Sequence, residues 1–253
     1  TYLAELAEAM ATEELDIAST AALDIAKTGS SRTPSHPRIT AQKQDGLYYV
    51  TYQPIGGTPT TDAFKQLYAA MKEIPETELR IGPDETVYII NLTADEAEKI
   101  AALTEGSAAT LLETSVSCVG STICQIGLQD SQGLLRSIID AVKPYQFKDG
   151  VLPRLHISGC SSSCGTHQIG DIGFHGSAKL VAGKPQPAFH VFVNGSEEKG
   201  EERFGELIGI MTTVNIPQFF FFFCKIVTEA GETFAGWYPQ HETDFRALAE
   251  KYM

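Results

Sequence analysis

Hydrophobic residues recur with helical spacing over 3–27. Leu3, Leu6, Met10, Leu15, Ala18, Ala22 and Ile25 share one face, and six acidic residues with one lysine solvate the other. The stretch TGSSRTPSHPR (28–38) ends that period with Gly, Ser and Pro and reads as a linker. Beyond it the period changes to two. Residues 47–53, opened by an Asp-Gly turn, predict a strand, and a helix is expected over 61–74 with Thr61 or Asp62 as its N-cap. Short strands at 78–82 and 86–92 flank a Pro-Asp turn. A helix over 93–106 carries Thr93 and Glu96 at capping-box spacing and stops at Gly106. Residues 108–116 are expected to close the unit as a last strand.

The order β-α-β-β-α-β is that of a ferredoxin-like sandwich. The second half is richer in glycine and cysteine. It predicts a helix over 131–142, a strand over 154–158, a helix from Cys160 to about Ile169, and a hairpin whose arms meet at GKPQ (183–186). Two helices around Trp237 end the chain, the first carrying Phe219–Phe223 as one buried run. The expected class is α+β: an acidic helix and linker over 1–46, a ferredoxin-like half-domain over 47–115, and a mixed α/β domain over 116–253. No short-period repeat is visible.

Composition narrows the function classes. The 253 residues are 43% hydrophobic and 20% charged, enough for one large domain or two small ones. The net charge of −13, with no dense Lys/Arg run, speaks against nucleic acid and anionic membrane surfaces as partners. No apolar run approaches the roughly 20 residues of a membrane span. The first residues carry acids and no basic leader, so a cytoplasmic protein with reduced thiols is expected, and Thr1 points to a processed or excised chain.

Four of the five cysteines form two close pairs: Cys118 and Cys124 in SCVGSTIC, Cys160 and Cys164 in SGCSSSCG. Zinc knuckles favour shorter spacings than the first pair has. Two disulfides would need an oxidising context. An iron–sulfur cluster takes four thiolates, and its bulk accounts for the small residues around them: Gly120, Gly127, Gly159 and Gly165, with Ser117, Ser121 and Ser161–Ser163. A helix begun at Cys160 would turn its positive end toward such an anion. Cys224 reads as an ordinary buried thiol.

SCVGSTIC followed by RLHISGCSSSCGTHQIGDIGFHG resembles the cluster domain of the siroheme-dependent nitrite and sulfite reductases. The likeness runs over 47–115 as the family's ferredoxin-like half-domain and over 116–253 as its cluster domain. It corresponds to the C-terminal half of an enzyme built from two such repeats. The resemblance implies that Cys118, Cys124, Cys160 and Cys164 hold a 4Fe–4S cluster, with Cys164 bridging to siroheme. It implies multi-electron reduction of nitrite or sulfite, fed by a ferredoxin or flavoprotein donor and completed by a missing N-terminal repeat. Arg80 and Arg154 are the expected partners of the siroheme carboxylates. Three departures accompany it. Ser161-Ser162 stand where Pro-Asn is usual, Asp84, Glu85 and Thr86 take amide positions, and Gly57 replaces a common arginine. Acids beside siroheme carboxylates repel them. That leaves two other readings: a 4Fe–4S electron-transfer module without siroheme, and a small single-repeat sulfite reductase. His156 and His190 are expected to pack inside strands, and His167 and His175 to flank the cluster helix and its following strand.

Overall fold

The computed structural model describes residues 25–253, so the helix expected over 3–27 lies almost wholly outside them. The first lobe contains β1 (Ile39–Ala41), β2 (Tyr48–Tyr52), α1 (Thr61–Lys72), β3 (Glu78–Ile81), β4 (Val87–Leu92) and α2 (Ala94–Leu103). Its antiparallel sheet has the order β1-β2-β4-β3. Strand alternation sends Val87 and Ile89 inward, against Leu67 and Ala70 of α1 and Ala97 and Ile100 of α2. Thr60 caps α1, one residue before the expected cap. Thr93 and Glu96 form the expected box, with Thr93 N–H donating to Glu96 Oε2 at 2.7 Å.

One strand assignment is corrected. The sheet is closed by Ile39–Ala41, out of the presumed linker, and not by 108–116. Local capping decides this. Glu113 accepts the N–H groups of Ala109 (2.8 Å) and Thr110 (3.3 Å), and Ser115 Oγ donates to Leu112 O at 2.6 Å. That winds 109–115 into a turn. Only β5 (Val116–Ser117) is extended there, and it joins the other sheet.

The second lobe contains β5, α3 (Ser131–Val142), β6 (Leu155–Ser158), β7 (Ile172–Val181), β8 (Lys184–Val193), β9 (Glu206–Thr212), α4 (Ile216–Ala230) and α5 (Phe234–Glu250). The sheet order is β5-β6-β7-β8-β9. The first three strands are parallel, and β7-β8-β9 run antiparallel. The hairpin turns at Ala182 (φ 50°) and Gly183 (φ 77°), the left-handed pair a two-residue connection requires, so Lys184–Gln186 belong to the strand. The phenylalanine run divides by helical period. Phe219, Phe220 and Phe223 are fully buried, while Phe222 is exposed. Trp237 sits inside α5, which kinks at His241, just after Pro239.

A second correction concerns 160–169, which is not helical. Ser163 (φ 62°) and Thr166 (φ 50°) take left-handed conformations. Ser158 Oγ accepts Gly165 N–H at 3.0 Å, and Ser163 Oγ donates to Gln168 Oε1, so hydroxyls occupy groups a helix would need. No helix begins at Cys160, so the positive end expected there is not formed.

Candidate functional site

Parallel pairing of β5 with β6 (Ser117 opposite Ile157) places both cysteine loops at the carboxyl ends of neighbouring strands. In open α/β sheets, ligands gather at such ends. The ladder continues into the first loop, where Cys118 N–H donates to Ile157 O at 3.1 Å. Leu128 and Gln129 both donate to Gly159 O, at 3.0 and 2.9 Å, so the loops share hydrogen bonds. Gly159 N–H donates to Cys118 Sγ at 3.1 Å, and Ser131 Oγ lies 3.3 Å from the same sulfur.

The glycines act differently from the sequence expectation. A Cβ on Gly159 would lie 2.7 Å from Gln129 O. One on Gly165 would overlap Ile157 O, and one on Gly176 would overlap Gly159 O. These residues let backbone meet backbone, and so bring the loops together; the space they keep clear is filled by this chain itself.

Cys118, Cys124 and Cys160 are half-buried, Cys164 is exposed, Cys224 is buried, and all five are free thiols. Hydrogen bonds from the Ser162 side chain and backbone hold the Cys160 thiol below its usual range, favouring thiolate. Burial pushes Cys224 up to about 12, an inert thiol. Among the described residues, no group of three or more His, Cys, Asp or Glu could hold a single metal ion. Four thiols are the donor chemistry that an iron–sulfur cluster takes.

The two arginines are already engaged. Arg80 forks onto Glu78, with Nη2 2.8 Å from Oε2. Arg154, only 19% exposed in its side chain, donates to Thr114 O at 3.0 Å and pairs with Glu197 (3.2 Å) and Asp84 (3.5 Å). It therefore ties the turn of the first lobe to the second.

Sequence reasoning missed Glu85 as a contact between lobes. Its residue takes φ 64°, its Oε1 accepts Ser117 N–H at 3.1 Å, and its buried Oε2 has no partner. The carboxyl group fills the space at Gly57, where a Cβ would lie 2.8 Å from Glu85 Cδ. Burial, with Asp84 adding to it, raises the carboxyl to about 7, against the pull of Ser117 N–H and Arg154. Between its ordinary 4.5 and about 7 the folded state holds a proton that the unfolded state has released, so this group lowers stability as pH rises. The wild-type unfolding free energy minus that of Glu85→Gln is expected to fall across that window and level off above it, measured by urea denaturation. The difference is the readout because His167 pulls the opposite way: burial, then His175 and His156, depress it to about 4. A difference that does not change with pH would show that Glu85 ionises freely.

The histidines form a column. Rings of His167 and His175 lie 4.9 Å apart, and those of His175 and His190 4.5 Å. His156 is buried, with Nδ1 2.8 Å from Thr166 Oγ1.

No family model matches the chain. Over 164 residues it is 32% identical to the chloroplastic ferredoxin–nitrite reductase of Oryza sativa subsp. japonica, covering 61% of this chain and 27% of that protein. The similarity is to nitrite and sulfite reductases. A sulfite reductase [NADPH] hemoprotein beta-component of Bacillus subtilis is 24% identical over 148 residues, 53% of this chain and 26% of that protein. The solved structure of the Mycobacterium tuberculosis NirA protein matches the fold with a TM-score of 0.68 at 19% identity, over 91% of this chain and 46% of that one. That likeness supports the α+β class. The chain thus spans about a quarter of the length of these reductase sequences and about half of that solved structure. No described helix is long and apolar enough to cross a membrane.

Proposed function

We propose that this chain is the cluster-bearing half of a nitrite or sulfite reductase. Cys118, Cys124, Cys160 and Cys164 would hold a 4Fe–4S cluster, and siroheme would lie against Cys164. When bound, this pair supplies the multi-electron reduction of nitrite or sulfite. The observation that carries the reading is the pair of hydrogen-bonded cysteine loops at the ends of β5 and β6, in a chain whose relatives are such reductases. The protein's own part is to prepare sulfur ligands. The Ser162 bonds on Cys160 favour the thiolate that binds metal, and Gly159 N–H donates to Cys118 Sγ. Arg80 and Arg154 would meet siroheme carboxylates once released from their acids. A ferredoxin or flavoprotein would supply electrons, a further repeat would complete the substrate pocket, and a reducing compartment such as the cytoplasm would keep the thiols free.

The second reading, a 4Fe–4S electron-transfer module without siroheme, is favoured by one observation: Arg80 and Arg154 are paired with Glu78, Glu197 and Asp84.

Anaerobic reconstitution with iron and sulfide, followed by metal assays and a visible spectrum with and without siroheme, tests both. Four irons with haem bands support the half-enzyme, and four irons alone support the module. Cys118→Ser is expected to lose most of the iron, whereas Cys224→Ala keeps it all. Iron retained in the first variant, or lost in the second, would mean that other thiols are the ligands.

A further inference from the structure

Away from the cysteine loops, the turn at 109–113, the end of α3, the connection 143–152 and Cys224 of α4 line a pocket of about 240 Å³ that opens to solvent on one side. Leu112, Ile139, Val142, Phe147 and Leu152 make its walls apolar, and four of these five belong to the buried core of the second lobe. The space is therefore a recess whose floor is the packed core. It exceeds the roughly 150 Å³ of an apolar cavity that takes up benzene. Cys224 adds no charge there, because burial keeps its thiol protonated.

The rim carries Glu113, Asp149, Lys143 and Lys148. Each acid is held through one oxygen by backbone N–H groups, and neither pairs with a lysine among the described residues. Glu113 accepts from Ala109 and Thr110, and Asp149 accepts from Leu111 at 2.7 Å and Gly150 at 2.9 Å. Neither lysine makes a side-chain hydrogen bond or ion pair among the described residues, and both are exposed. In a chain of net charge −13, an organic anion settles only where cations are left unspent. This rim is such a place. We propose that the cavity binds a small organic carboxylate, its aromatic or short aliphatic body inside and its carboxylate at the Lys143–Lys148 rim. The site stands apart from the proposed cofactors and does not depend on them.

Saturation-transfer NMR on the full chain, with 2-naphthoate and its neutral counterpart 2-naphthamide, tests this. Both are expected to bind, the acid about three- to tenfold more tightly, as one or two exposed ion pairs would give. Lys143→Gln combined with Lys148→Gln should remove the preference while leaving the amide's affinity unchanged. Ala109→Phe, at an exposed lining position, should plug the cavity and abolish binding of both. Absence of saturation transfer from either probe, equal affinities, or a preference that survives loss of both lysines would overturn the proposal. Should Ala109→Phe fail to fold, the lysine pair, both exposed, decides it alone.

Discussion

Phe223→Ala is expected to lower the unfolding free energy by about 3–5 kcal/mol, the range for deleting a fully buried aromatic ring. The side chain has no exposed surface. Its ring stacks on Phe219 at 5.8 Å and meets Phe234, Trp237 and Phe245 edge-on at 6.0, 5.5 and 5.0 Å. It thus joins α4 to α5. Three rings from the following helix lose a neighbour at once, and helices packed against a sheet collapse only partly into such a void. Phe222→Ala, at an exposed position one residue earlier, is expected to cost less than about 1 kcal/mol. Urea denaturation of the two variants checks the contrast. Similar losses in both would mean that the run is not divided by helical period as described.

The second large effect is functional as well as structural. Gly176→Ala puts a methyl group into the carbonyl oxygen of Gly159, and no rotamer change relieves an overlap between two backbones. Gly159 O accepts the N–H groups of Leu128 and Gln129, so displacing it separates the loops that bring Cys118 and Cys160 together. The expected cost is about 1–3 kcal/mol of stability, with most reconstituted iron lost. Gly106→Ala is the control, because a Cβ there meets nothing within 4 Å. Iron assays after anaerobic reconstitution, read beside thermal midpoints, separate the two effects. A Gly176→Ala protein that binds a full complement of iron would show that the loops are held together by something other than this contact.

Much of the fold was legible because its elements are written in local pattern. The alternation in 86–92, the capping box at Thr93 and Glu96, and the helical face of 131–142 each appear where expected. The helix expected from Cys160 fails for a local reason too. Serines compete for the backbone groups a helix needs, and the left-handed turns at Ser163 and Thr166 follow. The strand assigned to 108–116 fails on a similar competition, with Glu113 capping its own turn. The site was half legible. Spacing picked out the four thiols that the proposal uses, but Glu85 looked only like an acid in an unwelcome place. Its insertion between Gly57 and Ser117 joins residues far apart in the chain.

Sequence by itself determined an α+β chain with its main helices and strands, and set four of the five cysteines in two close pairs, because each depends on neighbours a few residues away. Tertiary structure alone decided that the glycines serve contact between loops, and that Arg154 and Glu85 join the lobes. Those outcomes depend on which backbones come within van der Waals reach after folding, and no local period encodes that distance.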